Sequence, residues 1–345
     1  MAPRPGWDRT FDWSGYVPFD EMPYLYNPPE GFISTANNRT IGNEFPYYIS
    51  GLWADPSRSS RIKEVLNEEK NFSLEDMKAL QLDLTSNYSK EILPFILKNA
   101  GSYQSKIFER AIRFLKDWNH IESIDSEGTL IFHSISNEII RNIYHDELSV
   151  LGDKYFETYI GLKYITKRNL RRILKSHTNK WVDDIRTPAK IETINEIINK
   201  SIESGIQKVV DSYGPNWSNW KWGSAHTVTH KHILGDVKIL NYLYNLNIGP
   251  FLSGGSDVTP NAGGYSLHKG FNQTSGASMR RIVDFSDLNR TNMILPTGQS
   301  GLHNSPHYSD QASLYHNGKY RVTNFDKDYI LNSPDYEQLT LIPEK

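Results

Sequence analysis

Cysteine is absent from the 345 residues of this sequence. Disulfides, thiolate metal sites and a cysteine nucleophile are therefore excluded, although the cellular compartment is not fixed by this absence. No apolar run approaches the ~20 residues that a membrane-spanning helix needs, so we expect no membrane partner. Basic residues are not in excess either, with 38 Lys and Arg against 40 Asp and Glu, which argues against nucleic acid as a partner.

The composition is that of a globular protein with a sizeable core, since 38% of the residues are hydrophobic and 12% are aromatic. The local pattern changes twice along the chain, and we predict three parts of one structural unit that is incomplete at its N-terminus. These are an extended or β segment over 1–56, a mainly helical region over 57–212, and a β-rich region over 213–345.

Helical periodicity is clearest between residues 57 and 212. The stretch 103–118 places Ile107, Ala111, Phe114 and Leu115 on one face, which predicts an amphipathic helix. The stretch that begins at Ser73 has Asp76 three residues later, a variant of the capping box that predicts a helix start. After Tyr213, in contrast, GASMRRIVDFSDL and TNMILPTGQSG are typical of strands and turns.

The stretch HTVTHKHILGD contains His226, His230 and His232 within seven residues, which raises the possibility of a metal site. On a helix, His226 and His230 would share a face, as in zinc proteases, but Thr227 stands where those enzymes carry a glutamate base. On a strand, the three histidines would point to one face. Buried, hydrogen-bonded histidines are the alternative interpretation.

Two further motifs favour structural roles. In NWSNWKWG, Trp217, Trp220 and Trp222 could stack on sugars or bases, but core packing is the ordinary role of such residues. The glycine-rich stretch FLSGGSDVTPNAGG lacks the pattern of a phosphate-binding loop. We therefore interpret Gly254 and Gly255 as turn residues that allow positive φ.

Several sequence blocks cover nearly the whole chain, in order: DWSGYVPFDEMPYLYNPPEGFISTANN, GLWADPSRSSRI, SLEDMKALQLD, NWKWGSAHTVTHKHIL, NIGPFLSGGSDVTPNAGG, GASMRRIVDF and LPTGQSGLHNSPHYSDQ. Taken together, in this order, they resemble the penicillin amidase family of N-terminal-nucleophile hydrolases. The resemblance implies an α+β fold that is part of the four-layer αββα architecture, with an associated helical region. It also implies that the histidines of HTVTHKH are not metal ligands.

The activity that the resemblance implies is hydrolysis of a linear amide bond between an acyl group and an amine, as in β-lactam side chains or acyl-homoserine lactones. Asn37, in STANN, matches a family asparagine whose side-chain amide donates to the oxyanion. Arg58, in WADPSRSSRI, matches an arginine that helps to orient the amino end of the nucleophile. Without the resemblance, TANNRT would be interpreted as a turn and Arg58 as the start of a helix.

The family uses a serine at the start of a chain, whose free α-amino group acts as the base for its own hydroxyl. We expect this nucleophile to be missing here, because loss of Met1 would expose Ala2, which has no hydroxyl. The expected partners are therefore the N-terminal half or small subunit of the acylase and a small acyl-amide substrate. Family members are commonly periplasmic or secreted, and we expect the same here, although residues 1–31 show no export signal.

We predict no cofactor. Some family members bind a structural calcium ion through acidic residues, but after Pro46 this chain reads YYIS where such members carry an acid. Calcium is therefore not favoured.

Three hypotheses for function remain open at this point. The first is the C-terminal part of an acylase, inactive alone. The second is a non-catalytic ligand-binding protein built on that remnant, and the third is a metal-dependent hydrolase that uses His226, His230 and His232. A chelator would abolish turnover only in the third case, and tight ligand binding without turnover would indicate the second.

Overall fold

A computed structural model describes residues 4–68, 71–176, 179–334 and 337–343. Met1 and Ala2 lie outside the described residues. The long helices precede the strands in the chain, and the larger of them are α1 Ser57–Glu68, α2 Leu74–Gln81, α3 Asn87–Asn99, α4 Lys106–Asp117, α5 Glu127–Val150, α6 Asp153–Gly161, α7 Lys163–Lys175 and α8 Ile194–Tyr213. Short helices follow, namely α9 Trp222–Ala225, α10 Lys238–Tyr244, α11 Ala312–His316 and α12 Lys327–Asn332.

Helix α5 forms the centre of the core. Its apolar side chains face several directions, as expected for a helix covered on all sides, and Leu130, Phe132 and Ile139 are fully buried. Its main partner is α8, where Gly205 brings the two backbones into contact. A Cβ atom at position 205 would lie 2.7 Å from the Cα atom of Ile135, so only glycine permits this approach. Among the described residues, no helix combines the length and apolar character that crossing a bilayer requires.

The helix starts follow the capping chemistry of the sequence. The prediction of a capping box at Ser73 and Asp76 is confirmed, because each side chain bonds the backbone N–H of the other. Thr193 and Glu196 form the same arrangement at the start of α8. Each box satisfies two backbone donors that a helix end would otherwise leave free. The amphipathic helix predicted within 103–118 is confirmed as α4, which buries Ala111 and Leu115.

The strands lie after residue 226 in the described chain and form small antiparallel sheets. Strands β1 Thr227–His230 and β2 Ile248–Leu252 pair, as do β3 Gly263–Tyr265 and β4 Gln273–Gly276. Strands β5 Arg280–Ile282, β6 Thr291–Ile294 and β7 Arg321–Thr323 form a three-stranded sheet in that order. Packed helices followed by small antiparallel sheets confirm the predicted α+β class.

Residues 4–56 are mostly extended, with 3₁₀ turns at Arg9–Phe11 and Phe19–Glu21. None of the strand pairings between described residues involves this segment. Several of its aromatic side chains are almost fully exposed, including Trp13 at 98% and Phe19 at 93%. The contribution of residues 1–56 to the αββα architecture, like the division of the chain at residues 56 and 212, stays a prediction.

Candidate active site

Asn37 and Arg58, the two site residues that the family resemblance implies, are in direct contact. Asn37 lies in a turn with φ of 63°, a left-handed conformation that asparagine tolerates better than most residues. The backbone carbonyl of Asn37 accepts a hydrogen bond from the backbone N–H of Ala54 at 2.8 Å, which ties the turn to the segment before α1. The chain bends over residues 36–38, which is compatible with the interpretation of TANNRT as a turn.

The guanidinium of Arg58 fixes the orientation of the Asn37 side chain. Its Nη2 atom donates to the Ala36 carbonyl at 2.8 Å and to Asn37 Oδ1 at 2.9 Å. Because the oxygen of the amide is engaged, the Nδ2 donor of Asn37 points away from Arg58. No residue in the described ranges accepts a hydrogen bond from this Nδ2 atom, which leaves an N–H donor for a ligand.

Arg58 owes its position to the anchored start of α1. Buried Asp55 accepts hydrogen bonds from the backbone and side chain of Ser57, which is the first residue of the helix. The second oxygen of Asp55 pairs with Arg171 of α7 at 2.7 Å. Arg171 also contacts Glu91 of α3 at 2.5 Å. The start of α1 is thus tied to two other helices, and this arrangement holds the guanidinium of Arg58 at the site.

Asn37 and Arg58 line a cavity of about 470 Å³, within the size range of small-molecule sites. Its walls come from the bend at Asn37, from α1, α2 and α7, from the loop before β3, and from β3, β4 and the start of β5 with the residues just before it. The other charged or polar lining residues on which the later argument depends are Lys163, Asp257, Ser275 and Arg280. Ile62, Met77, Leu80 and Met279 supply apolar surface. The cavity can therefore accept a ligand that has both apolar and polar parts.

A buried ion pair lies at the wall of this cavity. Lys167 of α7 contacts Asp257, and both side chains are at most 5% exposed. Burial alone would raise the pKa of Asp257, but the ammonium groups of Lys167 and Lys163 outweigh it, so the pKa lies below its usual value. The lowered pKa favours the charged form of Asp257, which pairs with Lys167 at the wall.

Sequence reasoning did not identify Lys163, Lys167, Asp257 or Arg280 as site residues. Lys163 and Lys167 are four residues apart, which places both on one face of α7. This spacing was the sequence signal that could have indicated a paired cationic site. Asp257 follows directly on the glycine-rich turn. Gly255 adopts φ of 74° as predicted, but the prediction is wrong for Gly254, which has no positive φ and instead allows close approach of Leu84 and the Glu122 carbonyl.

His226 and His230 of the HTVTHKH motif have separate partners, and His232 accepts a hydrogen bond from the backbone N–H of Leu234. The Nδ1 atom of His226 lies 2.5 Å from the Phe271 carbonyl oxygen, and its ring stacks on Trp222. His230 contacts His316, with 3.0 Å between their Nε2 atoms. The register of β1 shifts between Val228 and His230, which breaks the strict alternation that would align the histidines. The described residues contain no group of three or more histidine, aspartate or glutamate side chains arranged for a metal.

Of the three tryptophans in NWSNWKWG, Trp220 and Trp222 are fully buried, whereas Trp217 is 42% exposed. Each buried indole donates to a backbone carbonyl, Trp220 to Gly214 at 2.9 Å and Trp222 to Gly255 at 3.0 Å. These two residues therefore pack the core, as the structural interpretation predicts.

Burial of His226 predicts a loss of stability in acid. Burial lowers the pKa of His226 to about 4, against an ordinary value of about 6.5. Between pH 6.5 and pH 4, His226 is therefore protonated in the unfolded chain but stays neutral in the folded chain. Stability from this residue is complete above pH 6.5 and decreases as the pH falls, by up to about 3 kcal/mol near pH 4. Urea unfolding at a series of pH values measures this decrease.

The matched comparison uses His226→Gln and, as a control, the same change at exposed His303. Glu147 opposes the trend, because burial and Asp146 raise its pKa to about 8, so only the difference between proteins is informative. We expect a shallower slope between pH 6.5 and 4 for His226→Gln and an unchanged slope for His303→Gln. Parallel curves for all three proteins would refute the assignment.

The sequence and the fold of this chain are similar to those of known proteins. Residues 1–332 match the sequence model of the family described as penicillin amidase. The acyl-homoserine lactone acylase QuiP of Pseudomonas fluorescens (strain Pf0-1) is 27% identical over 366 residues, which cover 100% of this chain and 42% of that protein. Penicillin acylase 2 proenzyme of Pseudomonas sp. (strain SE83) is 23% identical over 312 residues, covering 90% of this chain and 38% of that protein.

A solved structure has a similar fold. The thermostable penicillin G acylase from Alcaligenes faecalis aligns with a TM-score of 0.58 at 14% identity, over 97% of this chain and 61% of that one. The N-terminal-nucleophile hydrolase fold predicted from the motifs is thereby confirmed. The chain spans less than half the length of the two curated relatives.

Proposed function

The chain belongs to the penicillin amidase family, and we propose that it forms the substrate-facing part of an acylase that hydrolyses linear amide bonds. The observation that carries this proposal is the hydrogen bond from Arg58 to Asn37 Oδ1 at the cavity wall, which leaves the Nδ2 donor of Asn37 without an acceptor among the described residues. The names of the relatives, acyl-homoserine lactone acylase and penicillin acylase, support an acyl amide as the substrate.

In the proposed reaction, a serine outside this chain attacks the carbonyl carbon of the substrate, and its free α-amino group takes up the hydroxyl proton. Negative charge develops on the carbonyl oxygen, where the Nδ2–H of Asn37 stabilises it. The C–N bond breaks as the proton passes to the leaving amine, and water then hydrolyses the acyl ester. Arg58 contributes by holding Asn37 Oδ1 and thereby aiming the donor. The proposed chemistry uses no cofactor.

The serine and the rest of the oxyanion site are assigned to the part of the relatives that this chain does not span. We propose that the complete enzyme is periplasmic or secreted, as is common in the family. An upstream reading frame that encodes an export signal and a serine at a cleavage junction would support both assignments.

The direct test is turnover of a chromogenic phenylacetyl or fatty-acyl anilide. We expect the purified chain to leave the anilide intact and the chain co-expressed with its upstream frame to hydrolyse it, because only the second contains the nucleophile. EDTA should not change the rate. Robust turnover by the chain alone would overturn the proposal, and turnover that a chelator abolishes would instead support a metal-dependent hydrolase.

A further inference from the structure

The wall of the cavity is net positive, whereas the whole chain is net negative. The whole sequence has a formal net charge of −2, yet the cavity wall carries three cations, Arg58, Lys163 and Arg280, and one carboxylate, Asp257. Three positive charges and one negative charge leave the wall with a net charge of +2. The carboxylate is also already paired with a fourth cation, Lys167, which lies behind it. An anionic ligand is therefore favoured over a neutral one of the same shape.

Two of the three cations, Arg58 and Arg280, donate hydrogen bonds to other groups of the protein. Arg58 donates to the Ala36 carbonyl and to Asn37. Arg280 donates to the Tyr315 carbonyl at 2.8 Å and to Asn261 at 3.1 Å, and its guanidinium lies over the Tyr315 ring. These contacts position the two arginines and use several of their donors.

Lys163, the first residue of α7, has N–H donors that no described residue accepts. Its Nζ atom donates to Ser275 Oγ at 3.1 Å, and an ammonium group has three N–H donors. No carboxylate in the described ranges forms an ion pair with it. Burial lowers the pKa of Lys163, Asp257 partly opposes this effect, and the charges of Lys167 and Arg58 add to it. An anion beside Lys163 would relieve this repulsion.

The β3–β4 hairpin contacts the ammonium group of Lys163. Gly264 of β3 lies directly under it, opposite Ser275 of β4. A Cβ atom at position 264 would overlap both Lys163 Nζ and Ser275 Oγ, so a larger residue there would push the ends of these two side chains aside. The glycine thus leaves room for the contact between Lys163 and Ser275.

We propose that Lys163, together with Ser275, binds a carboxylate group of the substrate, so that the preferred substrates are acyl amides that carry a carboxylate. This inference rests on the proposed function and adds the class of substrate to it. Lys163 is then a specificity-determining residue, separate from the Asn37 donor that faces the reacting carbonyl.

The test measures dissociation constants of four acyl amides for the full chain by calorimetry. N-Phenylacetylglycine carries its carboxylate on the amine side, and the N-benzyl monoamide of glutaric acid carries it on the acyl side. N-Phenylacetylglycinamide and N-benzylglutaric diamide are their neutral counterparts. We expect one carboxylate ligand to bind at least about tenfold more tightly than its neutral counterpart, and the pair that shows the difference identifies the side.

Lys163→Met should remove this preference while the neutral amides bind as before, and Lys163→Arg should keep most of it. Lys154→Met, which removes an exposed cation on α6, is the matched control and should change nothing. Thermal unfolding of each variant shows that it is folded. Should Lys163→Met lose its fold, Ser275→Ala and Lys163→Arg provide the comparison, with a weakened and a retained preference expected.

The outcomes separate the two proposals. Equal binding of charged and neutral amides, or a preference that survives Lys163→Met, overturns the carboxylate site and leaves the proposed function intact. Failure of all four amides to bind counts against the assignment of this cavity to the substrate, and thus against both. A tenfold preference that depends on Lys163 supports both.

Discussion

Replacing Asn37 by alanine is expected to lower kcat by about 10²–10³-fold in the enzyme assembled from this chain and the nucleophile-bearing part. Asn37 lines the cavity, no described residue accepts a hydrogen bond from its Nδ2 atom, and Arg58 holds the amide through Oδ1. Since the oxyanion develops only in the transition state, KM should change much less than kcat. Steady-state hydrolysis of a chromogenic anilide measures both parameters.

A control is needed because Asn37 has φ of 63°, where alanine is strained. Asn37→Gly removes the amide without this strain and should lose as much activity as Asn37→Ala. Asn245, which is exposed, has φ of 47° and does not line the cavity. Asn245→Gly should therefore keep full activity. Near-normal kcat in Asn37→Gly would show that the amide of Asn37 is not the oxyanion donor.

Replacing Lys167 by methionine is expected to destabilise the fold by about 3–5 kcal/mol, because the carboxylate of Asp257 would stay buried without its partner. Lys167 also lies over the rings of Tyr88 and Tyr265, at 5.7 and 5.5 Å from their centroids. Methionine preserves much of this packing, so the loss should come mainly from the unpaired charge. Urea unfolding at neutral pH measures the change.

The double variant Lys167→Met/Asp257→Leu separates the charge from the packing. With both charges gone, most of the stability lost in the single variant should return. The exposed pair Lys231–Asp236, at 2.7 Å, supplies the matched control, and Lys231→Met should cost no more than about 1 kcal/mol. A double variant as unstable as Lys167→Met would mean that packing, and not the buried charge, dominates.

Local chemistry was enough to predict much of the helical part. The stripe through Ala111 and Leu115 and the box at Ser73 and Asp76 depend on residues within a few positions of each other. Such contacts form within one helix, so the sequence alone specifies them. The short strands from residue 227 onward are less regular, and the pairing of β5 with β6 depends on tertiary contacts that no local pattern predicts.

The candidate site could be predicted only in part. Asn37 and Arg58 were selected by the family resemblance, since their local sequence is equally typical of a turn and a helix start. The histidine motif shows the converse limit, because spacing alone did not distinguish a metal site from the separate contacts of His226, His230 and His232. Lys163 was missed because its significance comes from Ser275 and Gly264, which are far away in the sequence.

The hydrogen bond between Lys163 and Ser275 joins residues 112 positions apart in the chain. During synthesis, α7 leaves the ribosome well before β4, so a nascent chain that ends between them carries the Lys163 ammonium group without the hairpin that receives it. The buried pair of Lys167 and Asp257 is separated by 90 positions and is subject to the same delay. The helical core can thus form early, whereas the cavity wall is completed only after Arg280, its last lining residue in the chain, has been translated.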